Sequence, residues 1–198
     1  MDAQVLKAQL DDAGVIALLG RITFAETFGY LFVDHQDDLL AYLDRTFDVG
    51  KIRRSMDDPR NSYWLGFADG LPVGYAKLKY PSITYSLEGK DAAQLQKIYV
   101  LKDFLGRGIG KCLLQIVVDH AVNRQIENLW LDVLKENTRA ILFYEREGFD
   151  ALGEDTYTIG AQMFMVHQLG GTAPAVRGQH RHVELGRRGQ SQLCESHD

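Results

Sequence analysis

Two cysteines in 198 residues, Cys112 and Cys194, are too few and too far apart for a disulfide framework or a four-ligand zinc site. No metal is expected. Apolar runs stay short of the about 18 residues that cross a bilayer, so no membrane partner is expected. Met1-Asp2-Ala3-Gln4 lacks the basic-then-apolar layout of a signal peptide. An excess of positive charge is also missing: 22 Lys and Arg stand against 27 Asp and Glu, a net charge of −5. Nucleic acid is therefore a poor partner, because binding it needs a basic face that releases counterions. The expected setting is a reducing cytoplasm, and the acidic balance leaves room for a cationic substrate. With 45% hydrophobic and 25% charged residues, the composition is that of an ordinary globular chain. The length suits one domain with an appendage, burying roughly 70% of its unfolded surface.

Composition changes once, near Gly170-Gly171. The boundaries read as a domain over 1–169 and a flexible tail over 170–198. The tail is rich in Gly, Arg, Gln and His, has no aromatic residue, and shows no period that would offset its ordering entropy. His180, His182, Cys194 and His197 match no metal-ligand spacing there.

Upstream, helix-period and strand-period segments alternate. Ala3 to Lys7 reads as a strand, followed by a helix capped by Asp11 or Asp12 and carrying Val15, Ile16, Leu18, Leu19, Ile22 and Phe24. Asp37-Asp38 open a second helix, and a charged stretch runs on to Asp58-Pro59. Tyr63–Ala68 and Val73–Lys79 form a hairpin about Asp69-Gly70. Ala93–Leu101 is a strand, then come a glycine-containing loop, a helix from Ile109, a strand at Leu129–Leu134, and a helix capped by Asn137 and stopped by Gly148. Strands at Asp150–Gly153 and Gln162–Leu169 finish a mixed α/β sheet flanked by helices.

The segment with chemical content is Gln96-Lys97-Ile98-Tyr99-Val100-Leu101 followed by Gly106-Arg107-Gly108-Ile109-Gly110-Lys111. Unpaired amides of a helix's first turn, with the helix dipole, attract anions. The three glycines let backbone approach a phosphate, and Arg107 and Lys111 add positive charge. A GxGxxG fingerprint begun at Gly106 fails at Lys111, and a GxxxxGK[ST] loop fails at Leu105 and Cys112. If phosphates bind here, they bind by another arrangement.

Phe104-Leu105-Gly106-Arg107-Gly108-Ile109-Gly110 resembles motif A, [QR]-x-x-G-x-[GA], of the GNAT N-acetyltransferases. Asn137 to Phe149 is similar to the family's motif B, N-x-x-A-x-x-[FL]-Y-x-x-x-G-F, across a strand ending Leu131-Asp132-Val133. Thr23–Gly29 and Asp38–Leu43 further resemble the bacterial Pai-type spermidine/spermine acetyltransferases. The resemblance implies a GNAT-like fold over 1–169 and acetyl-CoA as co-substrate. Ile98, Tyr99 and Val100 would bond the pantetheine arm, and Leu105, Gly106, Arg107, Gly108, Ile109, Gly110 and Lys111 would hold the pyrophosphate. Asn137 would bond the pantetheine or adenine side, Ala140 and Phe143 would line the cofactor's channel, and Tyr144 would protonate the departing thiolate. An oxyanion would be stabilised by an N–H near Tyr99 or Val100. The resemblance also extends to homodimers. Read without it, Tyr144 and Phe143 are core aromatics and Asn137 is a plain N-cap.

Leu105 stands where the motif has Gln or Arg, and Gln94-Leu95-Gln96 stands where many members carry a glutamate base. Glutamine cannot take a proton at neutral pH, so either deprotonation falls to another acid on the substrate side, Glu26, Asp34 or Glu88, or the amine arrives with its proton shed to solvent. Residues 1–58 hold eleven acids against six bases, which favours a cationic amine, foremost a polyamine. A peptide or protein amine, and a non-catalytic acyl-CoA-binding regulatory module, are the alternatives.

Overall fold

The computed structural model describes residues 2–178 and 191–194, and the chain divides into two compact units. The first comprises residues 1–77, 97–116 and 183–198; the second comprises 78–96 and 117–182.

The first unit opens with β1 (Ala3–Lys7), whose inward Ala3 and Val5 alternate with more exposed neighbours, as a half-buried strand requires. Helices α1 (Ala13–Phe28), α2 (Gln36–Thr46) and α3 (Val49–Asp57) follow. Asp12 does not cap α1 through its side chain. It accepts from the Gln9 N–H at 2.7 Å and closes the short turn before the helix. Of the apolar residues assigned to one face of α1, Ile16, Leu19 and Phe24 are buried, whereas Leu18 and Ile22 point outward. Helix α3 occupies the charged stretch where no helix was expected; the Asp48 carboxylate caps it, accepting from Lys51 N–H at 2.7 Å.

Strands β2 (Asn61–Ala68) and β3 (Leu71–Lys79) turn at Asp69 and Gly70, both with positive φ, as a type I′ hairpin needs. Ile16, Ala17 and Leu19 of α1, Ile52 of α3, Tyr63 and Leu65 of β2 and Tyr75 of β3 form this unit's core. Beside it Phe24, Tyr42 and Phe47 stack with centroids 4.6–6.4 Å apart. β4 (Ala92–Val100) passes from the second unit into the first at Lys97, and α4 (Ile109–Asn123) passes back at Val117. In the first unit the strand order is β4-β3-β2-β1-β8, with β8 (Ser191–Cys194) antiparallel to β1.

The second unit carries the order β6-β7-β5-β4, where β5 is Asn128–Leu134, β6 Asp150–Ile159 and β7 Gln162–Thr172. Helix α5 (Thr138–Arg146) is capped by Asn137 Oδ1, which accepts from Ala140 N–H at 3.2 Å. The change of composition at Gly170 is not where structure stops. β7 continues to Thr172, and α6 (Ala173–Gly178) buries Ala173 and Val176 while the Ala173 N–H donates to the Glu127 carbonyl at 2.9 Å. His180, His182 and His197 lie outside the described residues. The helical segment Leu10–Phe32 has the length and a mean hydropathy (1.4) that would suffice for a bilayer span, although Asp11, Asp12, Arg21 and Glu26 interrupt its apolar residues; its Ile16, Leu19 and Phe24 are packed into the first unit.

Candidate active site

β4 and β5 run parallel, yet their ladder has three residue pairs only: Ala92↔Asn128, Ala93↔Leu129 and Gln94↔Trp130. From Leu95 onward the β4 edge that had faced β5 is released from that pairing. At the far end of β4 the backbone comes very close to β3. A Cβ placed on Gly74 of β3 would lie 2.6 Å from the Tyr99 carbonyl oxygen and 3.0 Å from Val100 Cγ2. Only a glycine admits that approach. The Leu101 N–H then donates to the Val73 carbonyl at 2.8 Å and ends the strand.

The loop that follows turns at Gly106 and Gly108, with φ of 79° and 80°, a conformation that L side chains adopt only at a cost. α4 begins directly afterwards, and Cys112 N–H to Gly108 carbonyl, 3.0 Å, is a first-turn helical bond. Among the described residues the amides of Gly106, Gly108, Ile109 and Gly110 have no acceptor in the protein. A Cβ at Gly106, Gly108 or Gly110 would meet nothing within 4 Å, so nothing among the described residues crowds the side-chain positions of these glycines. Donors at a helix N-terminus, flanked by Arg107 and Lys111, fit a diphosphate group. Ile109 points away and is buried with Leu113 beneath Gly66. The exposed Leu105 precedes the turn, and the Arg107 guanidinium lies over the Phe104 ring at 5.0 Å.

Ile98, Tyr99, Val100 and the residues from Leu105 to Lys111 thus fall together in the first unit. Asn137, Ala140, Phe143 and Tyr144 fall together in the second, along α5. Tyr144 is 6% exposed, its ring edge-on to Phe143 (5.1 Å) and Phe149 (5.7 Å), while Phe143 and Ala140 are half-buried.

The three acids singled out are not gathered. Glu26 accepts the Lys102 N–H at 3.0 Å, Asp34 is exposed before α2, and Glu88 is exposed in the second unit. Two other charged groups, missed in the sequence, stand out instead. Lys97 holds its Nζ 5.2 Å above the Phe47 ring and 5.5 Å above the Tyr99 ring. Burial, then the charges of Lys77 and Lys51, pull its ammonium down to about 8. Close by, the Tyr75 hydroxyl is fully buried without a hydrogen-bond partner. The second group is Asp132 on β5, held by Gln94 and Gln168, its carboxyl pushed up by burial. Its signal in the sequence was one acid interrupting the apolar run Leu129–Leu134 beside the two glutamines of β4.

Residues 24–149 match the model of the acetyltransferase (GNAT) family. An uncharacterised N-acetyltransferase of Lactobacillus delbrueckii is 25% identical over 157 residues, 79% of this chain and 90% of that protein. An uncharacterised N-acetyltransferase of Mycobacterium tuberculosis is 29% identical over 126 residues, covering 63% of this chain and 76% of its own. Among solved structures, the PaiA N-acetyltransferase of Thermoplasma acidophilum in complex with coenzyme A shares the fold, with a TM-score of 0.66 at 19% identity over 84% of this chain and 98% of that one. The family match spans both the bared amides at the entry to α4 and the segment Asn137–Phe149 that contains α5, and the chain belongs to the acetyltransferase (GNAT) family, enzymes that move an acetyl group from acetyl-CoA to an amine.

Proposed function

We propose that this enzyme acetylates a primary amine of a small polyamine of the spermidine or spermine type, in the cytoplasm where acetyl-CoA is at hand. The observation that carries the acetyl-CoA half is the set of four amides at the entry to α4 that find no acceptor among the described residues. In this reading Gly106, Gly108, Ile109 and Gly110 bind the pyrophosphate, with Leu105, Arg107 and Lys111 around them. The β4 edge at Ile98, Tyr99 and Val100 takes the pantetheine arm, and an N–H near Tyr99 or Val100 donates to the oxyanion. Asn137, Ala140 and Phe143 contact the cofactor's other parts, and the Tyr144 hydroxyl gives its proton to the departing thiolate.

The polyamine half rests on the acid excess of residues 1–58 and on exposed Glu26 and Asp34, which would draw in a polycation. Glu88 would act likewise from its own unit. A second reading, a peptide α-amine, is favoured by a 60-residue stretch 42% identical to the [ribosomal protein bS18]-alanine N-acetyltransferase of Salmonella typhimurium, which spans 30% of this chain and 40% of that protein. The test is release of free thiol from acetyl-CoA with spermidine, spermine, and peptides with free amino termini. Faster turnover of the polyamines supports the first reading. Turnover of the peptides alone replaces it with the second. Binding of acetyl-CoA without turnover of any amine leaves a regulatory module.

A further inference from the structure

We propose that Asp132 is the proton acceptor for the incoming amine, and that Gln94 and Gln168 are the positioning residues that aim its carboxylate. This rests on the reading that β4 beyond Gln94 takes the thioester.

The geometry lies wholly within the second unit. Gln94 Nε2 donates to Asp132 Oδ2 at 3.1 Å, and Gln168 Nε2 donates to Oδ1 at 3.3 Å. Each amide is itself fixed. Gln96 Nε2 donates to Gln94 Oε1 at 3.2 Å, and the Thr84 hydroxyl donates to Gln168 Oε1 at 2.6 Å. Gln168 is 6% exposed, so its orientation is set by packing as well as bonding. Register puts Asp132 opposite Gln168 and two residues beyond Trp130, the last β5 residue paired with β4. It therefore stands on the face of Gln94, one step past the point where the ladder stops.

One donor per carboxylate oxygen leaves lone pairs open on both, and the side chain is exposed enough to reach an amine or a bridging water. The glutamines that cannot be bases thus hold an acid on the neighbouring strand. Glu26, by contrast, has an oxygen committed to the Lys102 N–H. Burial lifts the Asp132 carboxyl above its usual range, and the like charge of Asp155 on β6 lifts it further, against the two glutamine bonds. His167, Glu154 and Lys135 pair with one another at neighbouring register positions that face the other way. A less acidic carboxyl is a better match for an ammonium donor.

The protons balance as follows. The acceptor ammonium gives one proton to Asp132, breaking N–H and forming O–H, and the freed lone pair attacks the thioester carbonyl. As C–S breaks, the thiolate takes the Tyr144 proton, and Tyr144 regains one from the substrate nitrogen. Asp132 then releases its proton to solvent, so one ammonium and one thioester yield an amide, a thiol and one proton.

The experiment compares the intact enzyme with Asp132→Asn and Asp132→Ala, reading acetyl-CoA affinity by calorimetry and kcat/KM against pH with the best amine. Both variants are expected to bind acetyl-CoA within about twofold of the parent and to lose about 100-fold or more of kcat/KM at neutral pH. The acid limb of the parent profile disappears in both, and added formate restores part of the rate to Asp132→Ala. Gln94→Ala lowers kcat/KM less than either Asp132 variant and moves that limb. Should Asp132→Asn not fold, Asp132→Ala with formate carries the test. Turnover within threefold of the parent with the acid limb intact, or no response to formate, overturns the role of Asp132 while leaving acetyl transfer standing. A parent enzyme that binds acetyl-CoA but acetylates no amine overturns both.

Discussion

Replacing Lys97 with methionine should make the protein more stable at neutral pH, although it deletes two cation–π contacts. The ammonium sits among Phe47, Tyr99 and the like charges of Lys77 and Lys51, and is pulled from the ordinary 10.5 to about 8. That depression corresponds to a cost to the charged form on the order of 3 kcal/mol. The side chain keeps some exposure, so solvent screening cuts this, and two lost aromatic contacts at about 0.5 kcal/mol each reduce the gain further. A net stabilisation of about 1–2 kcal/mol remains, or roughly 2–8 °C in Tm for a chain of this size. The sign with pH is fixed by linkage. The folded value lies below the unfolded one, so between about 8 and 10.5 the unfolded chain binds more protons and the parent gains stability as pH rises. The advantage of Lys97→Met is therefore full below pH 8 and fades toward pH 10.5. Urea denaturation of both proteins at pH 7 and pH 10 measures it. A variant no more stable at pH 7, or an advantage that does not shrink at pH 10, refutes this account of Lys97.

Three further outcomes follow from local geometry. Gly74→Ala drives a methyl against the Tyr99 carbonyl, displacing β4 where the pantetheine arm is proposed; it should cost about 1–3 kcal/mol and weaken acetyl-CoA binding, by denaturation and calorimetry. Asn137→Ala removes the cap on Ala140 N–H and should lower stability by about 1 kcal/mol. Tyr144→Phe keeps the ring contacts with Phe143 and Phe149 while turnover should fall; unchanged turnover would remove Tyr144 as proton donor.

What could be read from the chain divides by range. The α4 entry is legible because Gly106 and Gly108 are needed where φ is positive, and the start of α5 because Asn137 bonds three residues ahead. Both are local demands. α3 escaped notice because its run, Val49 to Asp57, offers a single fully buried apolar residue, Ile52, among charges. Leu18 and Ile22 were placed inward by periodicity alone, but the buried stripe of α1 is set by its neighbours. Gly171, Ala173 and Val176 look like low-complexity tail, yet they pack within the second unit, Gly171 close against the Gly148 carbonyl with Ala173 and Val176 buried. Lys97 and Asp132 were invisible as functional groups for one reason. Their chemistry comes from partners distant in the chain, Phe47 for the one and Gln168 for the other.

The most direct measurement is a two-dimensional 1H–15N NMR titration of the labelled protein with acetyl-CoA. The amide signals of Gly106, Gly108, Ile109 and Gly110 should move together and saturate with a single Kd. Saturable binding that leaves those four signals in place, or no binding at all, would contradict the assignment of the α4 entrance as the cofactor's anchor.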